Sequence, residues 1–179
     1  MTAVFLGGSR RISRLNDAIG ARLDQIIERE LQVFVGDANG ADKAIQQYLA
    51  KKTYARVVVF AITSRLRNNI GKWEVRFVVP PAGARGFDAY SAKDLRMAAE
   101  ASCGLMLWDA RSRGTLANIR NLLTQEKPVA VYHAQKKRFV NLVNLQDLTR
   151  LGLSREPDEP AKSAARAATN RDQHRLAIG

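Results

Sequence analysis

Cysteine and histidine are nearly missing from this chain. Cys103 is the only thiol, so there is no internal disulfide and no cysteine-based metal cluster. His133 and His174 are the only histidines, too few for a His-rich zinc site, and no metal or cofactor is implied. Long apolar runs are missing too. The longest is six residues, Val57 to Ile62, far short of the ~20 that a membrane-spanning helix needs. A strand-like run begins almost at once, where a secretion signal would need a charged segment and then an apolar one. These shortages read as a cytoplasmic protein with no membrane partner. Acids are outnumbered, 17 against 29 basic residues, for a net charge of +12. That excess favours anionic partners such as phosphates or nucleic acid.

What is present alternates. Short apolar runs over 3–7, 32–36, 57–62, 104–109 and 128–133 are separated by stretches of helical period. "ISRLNDAIGARLDQIIERE" spaces Ile12, Leu15, Ile19, Leu23, Ile26 and Ile27 on one helix face, and "GADKAIQQYLAKK" does the same with Ala41, Ala44, Ile45, Tyr48 and Leu49. "SAKDLRMAAEAS", capped by Ser91, and "GTLANIRNLLTQE" are the later helices. Residues 63–92 read as an irregular excursion with a short strand over 75–79. Phe139 to Gly152 adds a strand, "FVNLVN", and a short helix, "LQDLTRLG". The order βαβαβ–excursion–αβαβ predicts an α/β fold: a Rossmann-like three-layer αβα sandwich on a mainly parallel sheet. Residues 1–153 form that domain. Residues 154–179 read as a linker and an Ala-rich, weakly helical tail, which a second subunit of a homodimer would pin.

In a parallel sheet the C-terminal strand ends share one edge, and ligands bind there. The loops on that edge are "GGSRR", "GDANGAD", "TSRLR", "DARSRGT" and "HAQKKR". Glycine lets backbone amides approach a phosphate, and a following helix N-terminus favours negative charge. Gly7, Gly8, Ser9 and Arg10 are therefore candidates to cradle one phosphate together with Ser112, Gly114 and Thr115. The alternative is that Thr115 only caps the next helix. Asp37 and Asp109 can contact a ribose, cap a helix or pair with arginine, and Asp42 reads as a helix-start residue. Arg10, Arg11, Arg65, Arg67, Arg111, Arg113, Lys136, Lys137 and Arg138 concentrate the basic excess on this edge. Trp73 can stack on a base or pack the excursion onto the sheet. Cys103, at a strand start, reads as buried and inert.

"FLGGSR", "VGDANGADKAIQQYL", "KDLRMAAEASCGLMLWD" and "SRGTLANI", in this order, resemble the SLOG superfamily. That superfamily includes the LOG phosphoribohydrolases, the DprA recombination mediators and nucleotide-sensing domains. The likeness spans residues 3 to 133 and is nearest to the small bacterial YspA/YpsA-related SLOG proteins. It implies a Rossmann-like protein that binds a nucleotide or nucleotide-derived molecule, as a sensor or an enzyme. The implied ligand residues are Gly7, Gly8, Ser9 and Arg10; Gly36, Asp37, Ala38, Gly40 and Asp42; and Ser112, Arg113, Gly114 and Thr115, with Asp109 and Asn118 alongside. LOG hydrolases carry a "PGGxGTxxE" motif and an upstream arginine. Here Asn118 stands at the glutamate position and Lys93 at the arginine position, which speaks against phosphoribohydrolase activity. Asp109, Asp37 and Lys93 are the candidate catalytic groups. The alternatives are a base–ribose N-glycosidase or deoxyribosyltransferase, and a DprA-like single-strand binder. Aromatics make up only 7% of the chain and mostly sit in apolar runs, which speaks against the last.

Overall fold

The computed structural model describes residues 2–62 and 66–153. Arg65, His174 and the tail 154–179 lie outside the described residues. Seven strands form one sheet: β1 (Ala3–Gly8), β2 (Gln32–Gly36), β3 (Val57–Ile62), β4 (Glu74–Val78), β5 (Cys103–Trp108), β6 (Val129–His133) and β7 (Arg138–Leu142). Their order is β4-β3-β2-β1-β5-β6-β7. Every neighbouring pair is parallel except β6 with β7.

Four helices cover the two faces: α1 (Asp17–Glu28), α2 (Ala41–Lys51), α3 (Gly86–Glu100) and α4 (Arg113–Thr124). Alternate strand residues split between two cores. Val4, Leu6, Val33, Val35, Val57 and Val59 pack with Ile19, Leu23, Ile45 and Leu49 of α1 and α2. Phe5, Phe34, Val58, Phe60 and Met106 pack with Met97, Ala98, Ile119 and Leu122 of α3 and α4. This is the expected Rossmann-like three-layer fold. The unbroken apolar runs are explained, because a central parallel strand is buried on both faces.

Two helix starts differ from expectation for physical reasons. The first helix starts at Asp17, since the Asn16 side chain accepts from the Ile19 amide at 3.0 Å and caps it. Ile12 and Leu15 precede the helix and pack onto its core from the loop. The third helix starts at Gly86, five residues before Ser91, whose hydroxyl donates to the Asp88 carbonyl inside the helix rather than capping it. The excursion contains a full edge strand, β4, paired with β3 over five positions. Finally, the short helix after β7 is a 3-10 turn, Leu145–Leu151.

Cys103 is half-buried rather than buried, and burial pushes its thiol up in pKa.

The end of β1 leaves no room for a side chain at Gly8. A methyl there would lie 2.5 Å from the Leu107 carbonyl oxygen and 2.9 Å from Ala41 Cβ. Gly8→Ala should lower stability by roughly 1–3 kcal/mol, as overpacking against backbone does. Gly114→Ala, whose methyl meets only the Phe87 ring at 3.6 Å, should melt no lower than the parent. Equal melting temperatures for the two variants, followed by circular dichroism, would contradict the close packing.

Candidate functional site

The chain runs outward from β1 through β2, β3 and β4, then returns to place β5 on the other side of β1. The loops after β1 and β5 therefore leave adjacent strands toward opposite faces of the sheet. Such a switch point opens a crevice at the C-terminal strand ends. A cavity of about 530 Å³ occupies it, within the size range of small-molecule sites. The β1 loop contributes Gly7, Gly8, Ser9, Arg10 and Arg11. The β5 loop and α4 contribute Asp109, Arg111, Ser112, Gly114, Thr115 and Asn118. Helix α3 closes one side with residues that include Phe87, Tyr90, Lys93 and Asp94, and Ala38, Asp42 and Arg67 also line it.

The two loops are tied to each other. The Ser9 amide donates to the Leu107 carbonyl at 2.9 Å, extending the β1–β5 ladder by one residue. The buried Ser9 hydroxyl accepts from the Arg11 amide at 3.2 Å and interacts with Asp109, favouring its ionised form. Asp109 also accepts from the amides of Arg111 at 3.0 Å and Ser112 at 2.7 Å. Partial burial pushes the Asp109 carboxyl up, but these hydrogen bonds outweigh it and hold its pKa below the usual carboxylate range. Asp109 thus shapes the turn as an ionised acceptor.

Ser112, not Thr115, caps α4: its hydroxyl oxygen accepts from the Thr115 amide at 3.3 Å and from the Thr115 hydroxyl at 2.9 Å. The amides of Arg113 and Gly114, in the first turn, have no protein partner among the described residues. They are donors left over by helix geometry, at the positive end of the helix dipole.

The floor is a chain of buried charges. The Lys93 ammonium donates to Asp94 Oδ1 at 2.5 Å, and the Asn118 amide donates to Asp94 Oδ2 at 3.2 Å. Asp42 lies on the other side of Lys93 and accepts from the Ala38 amide at 3.3 Å. Burial pushes the Asp42 carboxyl up to about 6, against the pull of Lys93. Burial lowers Lys93, but Asp94 and Asp42 more than reverse this, so the ammonium is kept. Gly36 has to be glycine for this reason. A Cβ there would lie 2.3 Å from Asp42 Oδ2 and 2.7 Å from Lys93 Nζ.

Four expected ligand residues, Gly36, Asp37, Gly40 and Arg113, do not line the cavity. Gly36, Asp37 and Gly40 serve this scaffold instead, and Arg113 opens α4. Gly40, at φ +85°, lets the Arg10 backbone pass where a Cβ would sit 2.3 Å from the Arg10 carbonyl oxygen. Asp37 is fully buried, and both its oxygens hold Arg67: Nη2 to Oδ1 at 2.7 Å, Nε to Oδ2 at 3.1 Å and the Arg67 amide to Oδ2 at 3.1 Å. Asp37 therefore positions an arginine that lines the cavity. Asp42 is, as expected, in the first turn of α2, and it is also a buried floor group.

Lys136, Lys137 and Arg138 do not reach the cavity, because β6 turns directly into antiparallel β7 over residues 134–137. Trp73 is at the other end of the sheet, its indole donating to the Tyr54 carbonyl at 2.8 Å. There it lines an open hollow of about 700 Å³ at the N-terminal ends of β3 and β4. That hollow is larger than the cavity, but none of the glycine-bearing strand-end loops reaches it.

Sequence reasoning missed Phe87, Tyr90 and Asp94. The available signal was the 3-residue spacing of Phe87, Tyr90 and Lys93 with Asp94 and Met97, a helical face that the neighbouring Pro80, Pro81, Gly83 and Gly86 disguised as loop. Among the described residues no group of three or more His, Cys, Asp or Glu is placed to hold a metal ion. Comparison with family models, curated proteins and solved structures finds no match to this chain.

Asp42 has a pH consequence. Its folded pKa, about 6, lies above the ordinary aspartate value of 3.8. Between these values the folded state holds a proton that the unfolded state has lost. Its contribution is therefore complete below about 4 and lost as pH rises to about 6. Urea denaturation should show wild-type stability falling relative to Asp42→Asn across this window. Parallel pH profiles for the two proteins would refute the assignment.

Proposed function

We propose that the chain binds a small phosphorylated ligand, a nucleotide or nucleotide-derived molecule, in the cavity between the β1 and β5 loops. The observation that carries this reading is the convergence at one switch point of a glycine-bearing loop, a helix N-terminus with unpartnered amides, and the cations Arg10, Arg11, Arg67 and Arg111. Backbone amides and a helix dipole bind an anion without desolvating a buried charge of their own. The four arginines add long-range attraction and directional donors. The sequence resemblance to SLOG proteins points to the same ligand class.

Gly114 is the sharpest test. An added Cβ meets only Phe87, at the ordinary distance of 3.6 Å, so Gly114→Asp is expected to fold, with its melting temperature as the check, while placing a carboxylate where the phosphate would bind. Calorimetry with nucleoside monophosphates should show binding to the parent and none to the variant. Unchanged affinity in Gly114→Asp would reject the cradle.

A second reading, cleavage of a base–ribose bond, draws on Asp94. Asp37 is spent on Arg67 and Asp109 on its own turn; of the two other acids that line the cavity, Asp42 is buried and Asp94 is partly open to it, and Asn118 beside Asp94 is no base. Both Asp94 oxygens are already hydrogen-bonded, which favours binding over proton transfer. Incubation with nucleoside monophosphates should release no free base in a chromatographic assay. Turnover that disappears in Asp94→Asn would put the cleavage reading first.

A further inference from the structure

We propose that the cavity holds a separate subsite for a flat aromatic base, built on Phe87 and bounded by Tyr90. The ligand is then a nucleotide with its base attached rather than a sugar phosphate or a simple anion. This deepens the phosphate-binding reading above and rests on it.

Phe87 and Tyr90 are three residues apart on α3 and so share one helix face. They are 60% and 42% exposed, belong to neither core, and both line the cavity. Phe87 approaches the first turn of α4 so closely that a Cβ on Gly114 would lie 3.6 Å from its ring. An open aromatic surface thus stands beside the amides assigned to the phosphate. Tyr90 forms the adjoining wall, with the guanidinium of Arg67 at 5.2 Å and that of Arg10 at 5.9 Å from its ring centroid.

Arg67 is clamped by the buried Asp37 carboxylate, so the wall is fixed before any ligand arrives. Exposed rings beside several cations complement a ligand that is planar and apolar at one end and anionic at the other. Base–aromatic stacking accepts any base, since every base has a π-face. The subsite therefore selects for a base without selecting one base.

The test is calorimetry with ribose 5-phosphate and with the adenosine, guanosine, cytidine and uridine 5′-monophosphates. The parent should bind at least one nucleotide about tenfold or more tighter than ribose 5-phosphate, the scale of one stacked base. Phe87→Leu, which keeps an apolar side chain but no ring, should lose that margin and keep its affinity for ribose 5-phosphate. Phe87→Trp should retain the margin. Melting temperatures check that both variants fold.

Equal affinity for nucleotide and sugar phosphate, or a margin that survives in Phe87→Leu, overturns the base subsite and leaves the phosphate cradle standing. No binding of any of the five compounds overturns the cradle as well. A margin found only with oligonucleotides overturns the subsite in favour of a strand-binding groove.

Discussion

The pairing of β1 with β5 is the constraint on which the site depends. These strands are far apart in sequence, and the three strands β2, β3 and β4 are built before the chain comes back to β1. The return brings Gly8 opposite Leu107 and lets the Ser9 amide continue the ladder. It thereby sets the Ser9 hydroxyl against Asp109, and Asp109 in turn fixes the amides that lead into α4. A side chain at position 8 would push β1 away from Leu107 and Ala41 together. The first glycine-bearing loop is therefore a spacing device before it is a lining for anything else.

The charges follow a similar division of labour. A chain of net charge +12 has four aspartates under or beside this cavity. Asp37 is consumed in orienting Arg67, Asp109 in orienting backbone amides, and Asp42 with Asp94 in holding Lys93. Arg10, Arg11 and Arg111, which also line the cavity, make no ion pair with a carboxylate among the described residues. The acids work as supports that hold Arg67, Lys93 and the amides of Arg111 and Ser112 in place.

How much of this could be read from the sequence differs by kind of feature. Buried strands were legible because burial on both faces forces unbroken apolar runs, and Val57–Ile62 could hardly be anything else. The loops at the sheet edge were legible because parallel topology alone brings them together. The roles inside the loops were not. Glycine at 36 and 40 looks the same in a sequence whether it admits a phosphate or, as found, a buried Asp42–Lys93 pair and the Arg10 backbone. Asp37 looks like a ribose acceptor until the position of Arg67, thirty residues on, is known. The α3 face was obscured by prolines and glycines that end four residues or fewer before Phe87, so its aromatics were read as loop. Long-range pairing of polar groups carries no local period, and this is where sequence reasoning stopped.

The buried Asp42–Lys93–Asp94–Asn118 chain adds one further argument. Charged groups in an interior are a poor means of gaining stability, since well-packed apolar residues of similar volume commonly do as well or better by about 1–4 kcal/mol. Asp42 even carries a net burial penalty, visible in its raised pKa. A chain selected for stability alone would have filled this floor with leucine and valine, as it filled both cores. The polar floor instead lies directly beneath the cavity, with Asp94 partly open to it. A lined, hydrogen-bonded and locally unfavourable floor next to the first-turn amides of α4 is the arrangement expected beneath a ligand rather than within a packed core, because its cost falls where a ligand would touch it.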